Sequence, residues 1–170
     1  MKPKYIAIAA VTIDGKIAKH SSHETDWTSR EDKDFLHAKL DECDLVIVGR
    51  KTYDLARKPL GIRNCLVFTR EVKDEKVTGS KLTYCNPAAF DFQMYVQKKG
   101  YKKIAILGGK EIYSYFLAHD LLDEMYLTVE PIIFGSGLNL FDTNTKSMNY
   151  KLKSIKRLNQ EGALLLHYKK

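Results

Sequence analysis

Four short apolar runs, each about as long as a strand, constrain the fold of this chain more than any other feature. They are Tyr5–Val11, Asp44–Val48, Cys65–Thr69 and Ile104–Leu107. Apolar and polar residues do not alternate within them, which is typical of strands covered on both faces. Such strands occur in parallel sheets that have helices on either side. We therefore expect these runs to form a mainly parallel central sheet.

Segments with helical spacing lie between these runs. Ser29–Leu40 opens with a capping residue, Pro87–Lys99 begins with a proline and ends before a glycine, and Lys110–Leu117 follows two glycines. Proline in the first turn and glycine after the last turn are typical helix boundaries. The alternation of strands and helices predicts an α/β fold.

The last third of the chain has a different pattern. Met125–Glu130, Tyr150–Leu158 and Ala163–Lys169 resemble strands, and Asn159–Gly162 joins the last two as a turn. This pattern predicts an antiparallel hairpin at the edge of the sheet. With a length of 170 residues, we expect one domain over residues 1–170. The predicted fold is a three-layer α/β sandwich with a mainly parallel central sheet and an antiparallel C-terminal hairpin.

The net charge of the chain indicates which kind of ligand it binds. The chain has 28 basic and 21 acidic residues, which gives a formal net charge of +7. An excess of positive charge favours anionic ligands. The lysines and arginines are scattered, and no basic helix stripe or aromatic RNA-binding motif is present. We therefore expect a small anionic ligand and no nucleic acid.

The spacing of the cysteines, the histidines and the apolar residues argues against disulfide-rich, metal-binding and membrane-spanning proteins. The three cysteines have no CxxC pairing and the five histidines no HExxH spacing, so we expect neither a disulfide framework nor a metal site. No apolar run approaches the roughly 20 residues that span a bilayer. The N-terminal apolar stretch is short, interrupted by polar residues and not followed by a cleavage site. We expect a cytoplasmic protein that does not bind membranes.

Three predicted turns carry residues suited to phosphate. Gly108-Gly109 precede Lys110 at the start of a helix, Gly49–Thr52 follow a second strand, and Thr69-Arg70 follow a third. Glycines let the backbone approach a phosphate, and a helix N-terminus offers free N–H groups. Guanidinium groups suit a 2′-phosphate. The alternative is that the glycines only form sharp turns.

The segment Trp27–Asp32 holds the only tryptophan and an acid three residues after a serine. Ser29 and Asp32 have the spacing of a capping box, in which case Trp27 would be a core residue. The other interpretation is that Asp32 faces a cleft and holds a cationic or amidine-like ring. Both interpretations remain open at this point.

Several segments, in order and spacing, resemble those of the dihydrofolate reductase superfamily over nearly the whole chain. They are Ile8-Ala9-Ala10, Asp14–Ala18, Trp27 with Asp32, Gly49–Tyr53, Pro59-Leu60 with Arg63, Leu107–Gly109 with Tyr113, and Tyr126–Thr128. Thr12–Ala18, Leu121–Glu130 and Pro131–Phe141 are most similar to the riboflavin-pathway pyrimidine reductases of that superfamily. The spacing from Trp27 to Asp32, together with Thr128, is similar to the folate-reducing enzymes.

The resemblance implies NADPH-dependent reduction of 7,8-dihydrofolate to tetrahydrofolate, which is the function we expect. It assigns catalysis to Asp32, Trp27 and Thr128, with Asp32 binding the pterin 2-amino group and ring nitrogen. The residues expected at the substrate are Ile8, Asp32, Leu36, Leu60, Leu107 and Arg63, the last one pairing with the folate α-carboxylate. The residues expected at NADPH are Ala10, Ile17, Gly49, Arg50, Lys51, Thr52, Thr69, Arg70, Leu107, Gly108, Gly109, Lys110, Glu111, Ile112 and Tyr113.

Two alternatives remain open beside this function. The first is an NADPH-dependent reductase of a riboflavin-pathway diaminopyrimidine ribosylamino phosphate. The second is a module that binds a nucleotide without turning it over. The expected assembly is a monomer or a homodimer.

Overall fold

The structure is a computed structural model that describes residues 2–142, 144 and 147–170. Its strands are β1 (Lys4–Thr12), β2 (Lys16–Ala18), β3 (Leu45–Gly49), β4 (Cys65–Phe68), β5 (Glu75–Thr78), β6 (Leu82–Cys85), β7 (Lys103–Leu107), β8 (Glu124–Glu130), β9 (Leu138–Asn139), β10 (Lys151–Arg157) and β11 (Leu164–Lys169). Its helices are α1 (Arg30–Asp41), α2 (Arg50–Leu55), α3 (Arg57–Leu60), α4 (Phe92–Lys98) and α5 (Lys110–Ala118). Within the described ranges, no helix combines the length and the apolar character needed to cross a bilayer.

Nine strands form one sheet in the order β10-β11-β8-β1-β7-β3-β4-β6-β5. The strands from β8 to β6 are parallel. β11 is antiparallel to both β8 and β10, and β5 is antiparallel to β6. The predicted single-domain α/β fold, with a mainly parallel sheet and an antiparallel C-terminal hairpin, is confirmed.

Both faces of the sheet are covered by apolar side chains. The neighbouring residues Ile47 and Val48 of β3 are fully buried, yet they belong to separate clusters. This follows because successive side chains of a strand point to opposite faces. Phe92 and Phe116 from α4 and α5 pack on one face, and Leu40 from α1 packs on the other. The double cover explains why the apolar runs do not alternate.

The fourth helix begins later than predicted. α4 starts at Phe92, and the Asp91 carboxylate caps it by accepting the Met94 backbone N–H at 2.9 Å. The predicted start at Pro87 is wrong, because residues 87–91 form a turn in which the Phe90 N–H donates to the carbonyl before Pro87, at 2.8 Å. The capping residue Asp91, and not the proline, therefore determines where α4 begins.

The carboxyl ends of the parallel strands meet at one edge of the sheet. β1, β3, β4, β7 and β8 end there at Thr12, Gly49, Phe68, Leu107 and Glu130. In open α/β sheets this edge is where ligands bind. The residues that begin α1, α2 and α5 lie at the same edge, because each of these helices follows a strand or loop that ends there.

Candidate active site

Asp32 lies in the first turn of α1 and is 7% exposed. Its backbone N–H donates to the Ser29 hydroxyl at 3.3 Å, so Ser29 is the N-cap. In a full capping box, the acid would in return accept the Ser29 backbone N–H. That N–H donates instead to Glu130 Oε1 at 2.8 Å. The predicted capping box is therefore half present, and the Asp32 carboxyl takes no part in it.

Two threonine hydroxyls surround the Asp32 carboxyl. Thr128 on β8 and Thr28 just before α1 are both buried beside it, and the Thr28 hydroxyl donates to the Thr25 carbonyl at 3.4 Å. Burial raises the pKa of Asp32, the two neighbouring threonine hydroxyls lower it in part, and the charge of Glu130 raises it again, so that the net change is an increase. The structure thus brings together Asp32 and Thr128, two of the three residues expected to act in catalysis.

Tyr113 connects α5 to the end of β1 beside this carboxyl. Its buried hydroxyl donates to the Ile8 carbonyl oxygen at 2.7 Å. Burial raises the pKa of Tyr113, and the nearby Asp32 carboxyl adds to the increase. The phenol therefore keeps its proton and holds α5 against the strand that runs next to Thr128.

Trp27 is the third residue expected in catalysis, and it precedes Thr28 at the same site. Its ring packs against Phe134 with centroids 5.0 Å apart and planes at 69°. The indole N–H is buried and has no hydrogen-bond partner among the residues that the structure describes. A buried donor of this kind is usually paired. The role of Trp27 in catalysis stays a prediction.

The glycine turns after β3 and β7 lie next to each other, because these strands are neighbours. The Gly49 N–H donates to the Gly108 carbonyl at 2.9 Å. A Cβ at Gly49 would lie 3.0 Å from Ile112 Cγ1, and one at Gly108 would lie 3.0 Å from Tyr113 Cε2. Gly109 begins α5 without a side-chain cap. The Ile112 N–H donates to the Gly109 carbonyl at 3.0 Å, and the N–H groups of Lys110 and Glu111, which precede this first bond of the helix, suit an anion.

The residues expected to bind the 2′-phosphate follow two neighbouring strands, β3 and β4. Arg50 is already engaged, since its Nε donates to Asp54 at 2.8 Å and its Nη1 donates to Glu71 at 2.9 Å. Thr69 is buried, whereas Lys51 and Arg70 are exposed. Lys51 and Arg70 are thus the exposed cations of the predicted group, and its role at a 2′-phosphate stays a prediction.

Arg63 lies at the other end of α1 from Asp32. Its guanidinium donates to the Pro59 carbonyl at 2.6 Å and to Asp41 at 2.5 Å, and its side chain is 12% exposed. Asp41 follows Asp32 by nine residues along the helix, which corresponds to roughly 13 Å at about 1.5 Å per residue. A ligand carboxylate would have to compete with Asp41 for this group. The pairing of Arg63 with a substrate stays a prediction.

The other residues predicted to contact the substrate or NADPH differ in how far they are buried. Ile8, Leu60, Leu107 and Ile112 are buried in the core, and Ile17 and Leu36 pack against it partly exposed. Ala10 pairs with Thr128 across β1 and β8. Thr52 lies next to the glycine turn, with its Oγ1 3.7 Å from a Cβ built at Gly109. Glu111 is exposed, and Lys110 forms an ion pair with Asp142 at 2.7 Å.

Sequence reasoning missed Glu130. It ends β8, is 4% exposed, and accepts both the backbone N–H and the hydroxyl of Ser29, at 2.8 Å and 2.7 Å. The only signal in the sequence is an acid at the end of a predicted strand. Its partner is 101 residues away along the chain, so no local spacing reveals the contact.

Comparison with known protein families identifies the family of this chain. The dihydrofolate reductase family model matches residues 4–158. The chain belongs to the dihydrofolate reductase family.

Two relatives by sequence come from different bacteria. The uncharacterized protein YwjB of Bacillus subtilis is 31% identical over 176 residues, covering 99% of this chain and 98% of its own. The dihydrofolate reductase of Ureaplasma parvum is 28% identical over 109 residues, covering 64% of each chain. The first relative extends the likeness over the whole chain, and the second links part of it to a named enzyme.

Two solved structures share the fold. A putative riboflavin biosynthesis protein from Shewanella sp. PV-4 has a TM-score of 0.73 at 21% identity, covering 98% of both chains. A pyrimidine reductase-like protein from Corynebacterium diphtheriae has a TM-score of 0.76 at 17% identity, covering 98% of this chain and 91% of its own. These two structures therefore share the fold of this chain over nearly its whole length.

Proposed function

We propose that the protein is an NADPH-dependent reductase whose substrate carries a 2-amino-4-oxopyrimidine ring, with a diaminopyrimidine ribosylamino phosphate as the first candidate. The observation that carries this proposal is the buried Asp32 carboxyl, which the Glu130–Ser29 contact leaves free to bind a ring. The names of the two structural neighbours, a riboflavin biosynthesis protein and a pyrimidine reductase-like protein, support this choice of substrate.

A carboxylate distinguishes such a ring from a 2-oxo ring. The 2-amino group and the adjacent ring N–H are two donors side by side, and the two oxygens of Asp32 accept them together. A 2-oxo group would instead present an acceptor to the carboxylate. A buried polar group left unpaired costs about 1–3 kcal/mol. Asp32 is therefore expected to favour the diamino compound over its deaminated form.

The edge of the sheet that carries the glycine turns after β3 and β7 suits a dinucleotide. A Cβ at Gly49 or Gly108 would meet the side chains of Ile112 and Tyr113, so these glycines let α5 pack closely against the strand ends, and the first N–H groups of α5 would bind a phosphate. The exposed Arg70 and Lys51 would bind the 2′-phosphate. When bound, NADPH supplies the hydride, and the protein orients the two reactants.

Asp32 has a second role as a proton holder. Its raised pKa means that the carboxyl keeps a proton at higher pH than an exposed aspartate does. Hydride addition to a carbon–nitrogen double bond leaves the nitrogen in need of a proton. An acid with a pKa closer to neutral supplies protons more efficiently at working pH. The threonine hydroxyls keep the carboxyl aligned with the ring through that transfer.

Dihydrofolate is the second candidate, because its pterin carries the same amino and oxo groups. The observation that favours it is the Thr128 hydroxyl beside the Asp32 carboxyl, together with the spacing from Trp27 to Asp32, which resembles that of the folate-reducing enzymes. The similarity to the Ureaplasma parvum dihydrofolate reductase supports it as well. The two candidates share the ring contact and differ in what lies beyond it.

The test is the loss of NADPH absorbance with three substrates side by side: the diaminopyrimidine ribotide, its deaminated 2-oxo counterpart, and dihydrofolate. We expect the diaminopyrimidine ribotide to be reduced with the highest kcat/KM and the 2-oxo compound at least tenfold more slowly. Higher kcat/KM with dihydrofolate would make the second candidate the function. NADPH binding without turnover of any of the three would refute both.

The matched control is Asp32→Asn, which keeps the size of the side chain. The Ser29 cap uses only the backbone N–H of Asp32, so folding and NADPH binding should stay near normal. Hydride transfer in a single turnover should be slowed by orders of magnitude at neutral pH and should partly recover as pH falls, because solvent then supplies the proton. A variant with the wild-type rate from pH 5 to 9 would remove Asp32 from the reaction.

A further inference from the structure

Glu130 is the one buried acid at this edge to which the proposed reaction gives no role. It is 4% exposed at the end of β8. Its Oε1 accepts the Ser29 hydroxyl at 2.7 Å and the Ser29 backbone N–H at 2.8 Å. A buried charge is costly unless it is hydrogen-bonded. Glu130 is thus held in place by the residue that begins α1.

The Ser29 hydroxyl links Glu130 to Asp32 in a fixed direction. A hydroxyl has one proton, and here that proton is donated to Glu130. The oxygen lone pairs are therefore left for the Asp32 N–H, which donates to them at 3.3 Å. Without Glu130, the hydroxyl would be free to rotate. Glu130 therefore fixes the first turn of α1 and the direction in which the Asp32 carboxyl leaves it.

We propose that Glu130 is a positioning residue that fixes the place of Asp32 through Ser29 and acts directly on its charge. Its effect on the reaction rests on the proposed function, whereas its effect on Asp32 itself does not. The groups that face the Asp32 carboxyl are Glu130 from β8, Lys33 from α1 and Tyr113 from α5, with the Thr28 and Thr128 hydroxyls. Of the ionisable groups, Glu130 is the carboxylate whose charge opposes ionisation of Asp32.

The first experiment separates charge from geometry by carboxyl carbon NMR of protein labelled at aspartate, with Asp32→Asn identifying the signal. Glu130→Gln keeps an oxygen that accepts both Ser29 bonds but removes the charge, so the titration midpoint of Asp32 should move to lower pH. Glu31→Gln is the matched control: it removes a neighbouring charge that is exposed to solvent, and it should leave the midpoint in place. An unchanged midpoint in Glu130→Gln, or an equal movement in both variants, would overturn the role of the charge.

The second experiment tests the hydroxyl link and remains informative if Glu130→Gln fails to fold. Ser29→Ala removes the acceptor of the Asp32 N–H, so exchange of that amide with solvent should become at least fivefold faster. Ser29→Thr retains a hydroxyl and should restore slow exchange, and Ser29→Ala should not lower the Asp32 midpoint. Exchange at the wild-type rate in Ser29→Ala would refute the positioning.

The consequence for the reaction is read from the pH profile of hydride transfer. In Glu130→Gln, the midpoint of that profile should move to lower pH together with the Asp32 titration, while the KM for NADPH stays within twofold of wild type. A profile that does not follow the titration would show that Glu130 only supports the fold. If no candidate substrate is reduced, the proposed function fails, and the NMR titration still decides whether Glu130 acts on Asp32.

Discussion

Replacing Glu124 by glutamine should destabilise the protein in a pH-dependent way. Glu124 begins β8, and its side chain is 7% exposed. Three basic side chains surround it: Lys4 at 2.8 Å, His167 at 2.8 Å and Lys169 at 3.2 Å. Burial alone would raise the pKa of Glu124, but hydrogen bonds from these groups outweigh it and lower the pKa from 4.5 to about 2.

The size of the effect follows from this pKa. A fall from 4.5 to about 2 corresponds to about 3 kcal/mol of stability at neutral pH, at 1.36 kcal/mol per pKa unit. Solvent screens the partly exposed Lys4 and Lys169, so we expect about 2 kcal/mol. Because the folded-state pKa is depressed, this stability is fully present above pH 4.5 and is lost as pH falls towards 2. The deficit of the variant should therefore shrink by more than half at pH 3.

The assay is urea unfolding followed by circular dichroism at pH 7 and pH 3. Glu42→Gln is the control, because Glu42 pairs with Lys39 at 2.9 Å but is 51% exposed, and its loss should cost no more than about 0.5 kcal/mol. If Glu124→Gln matches this control at pH 7, or keeps its full deficit at pH 3, the reasoning is refuted.

Four further substitutions test the sheet edge at which NADPH is proposed to bind, and the contact of Arg63 with the end of α1. Arg70→Ala should raise the KM for NADPH ten- to a hundredfold, as expected for a lost charged contact of about 1.5–3 kcal/mol, and should hardly change the KM for NADH. Arg50→Ala should have a smaller effect on the KM for NADPH, because two carboxylates already engage Arg50. Equal effects on both cofactors would contradict the assignment. Arg63→Ala should lower the free energy of unfolding by about 1 kcal/mol, because the bonds to Pro59 and Asp41 are lost. If Arg63 also pairs with a substrate carboxylate, the KM for dihydrofolate should rise strongly; a KM within twofold of wild type would refute that pairing. Gly108→Ala should cost about 1–3 kcal/mol in urea unfolding, because the new Cβ would lie 3.0 Å from Tyr113 Cε2; wild-type stability would show that the ring can move away.

The sequence predicts the central strands because burial on both faces leaves a strong pattern. Residues 45–48 of β3 and 104–107 of β7 are all buried, and their apolar runs coincide with the strands. β5 gives no such pattern, because all four of its residues are exposed at the edge of the sheet. Its pairing depends on β6 and not on its own composition. Periodicity therefore misses β5, whereas β10 at the other edge, also exposed along its whole length, is predicted from the strand-like segment Tyr150–Leu158.

The site divides in the same way between local and distant contacts. The Ser29 cap can be predicted because its partner Asp32 is three residues away. The partner of Glu130 is 101 residues away, and only the sheet brings the two together. Arg50 is an intermediate case: its bond to Asp54 at i+4 could be read from helical spacing, whereas its bond to Glu71 could not.

β8 is the element on which the candidate site depends most, because it is held at both ends. Its first residue, Glu124, is fixed by basic side chains from β1 and β11. Its last residue, Glu130, is fixed by the cap of α1. Thr128 lies between them, paired with Ala10 on one side and Leu165 on the other, so its hydroxyl has little freedom. α1 is tied through Ser29 to the end of β8, and β8 is itself fixed at both ends. Asp32 and Thr128 are therefore held in a constant relative position. The proposed binding of a flat ring through a single carboxylate requires this preorganisation.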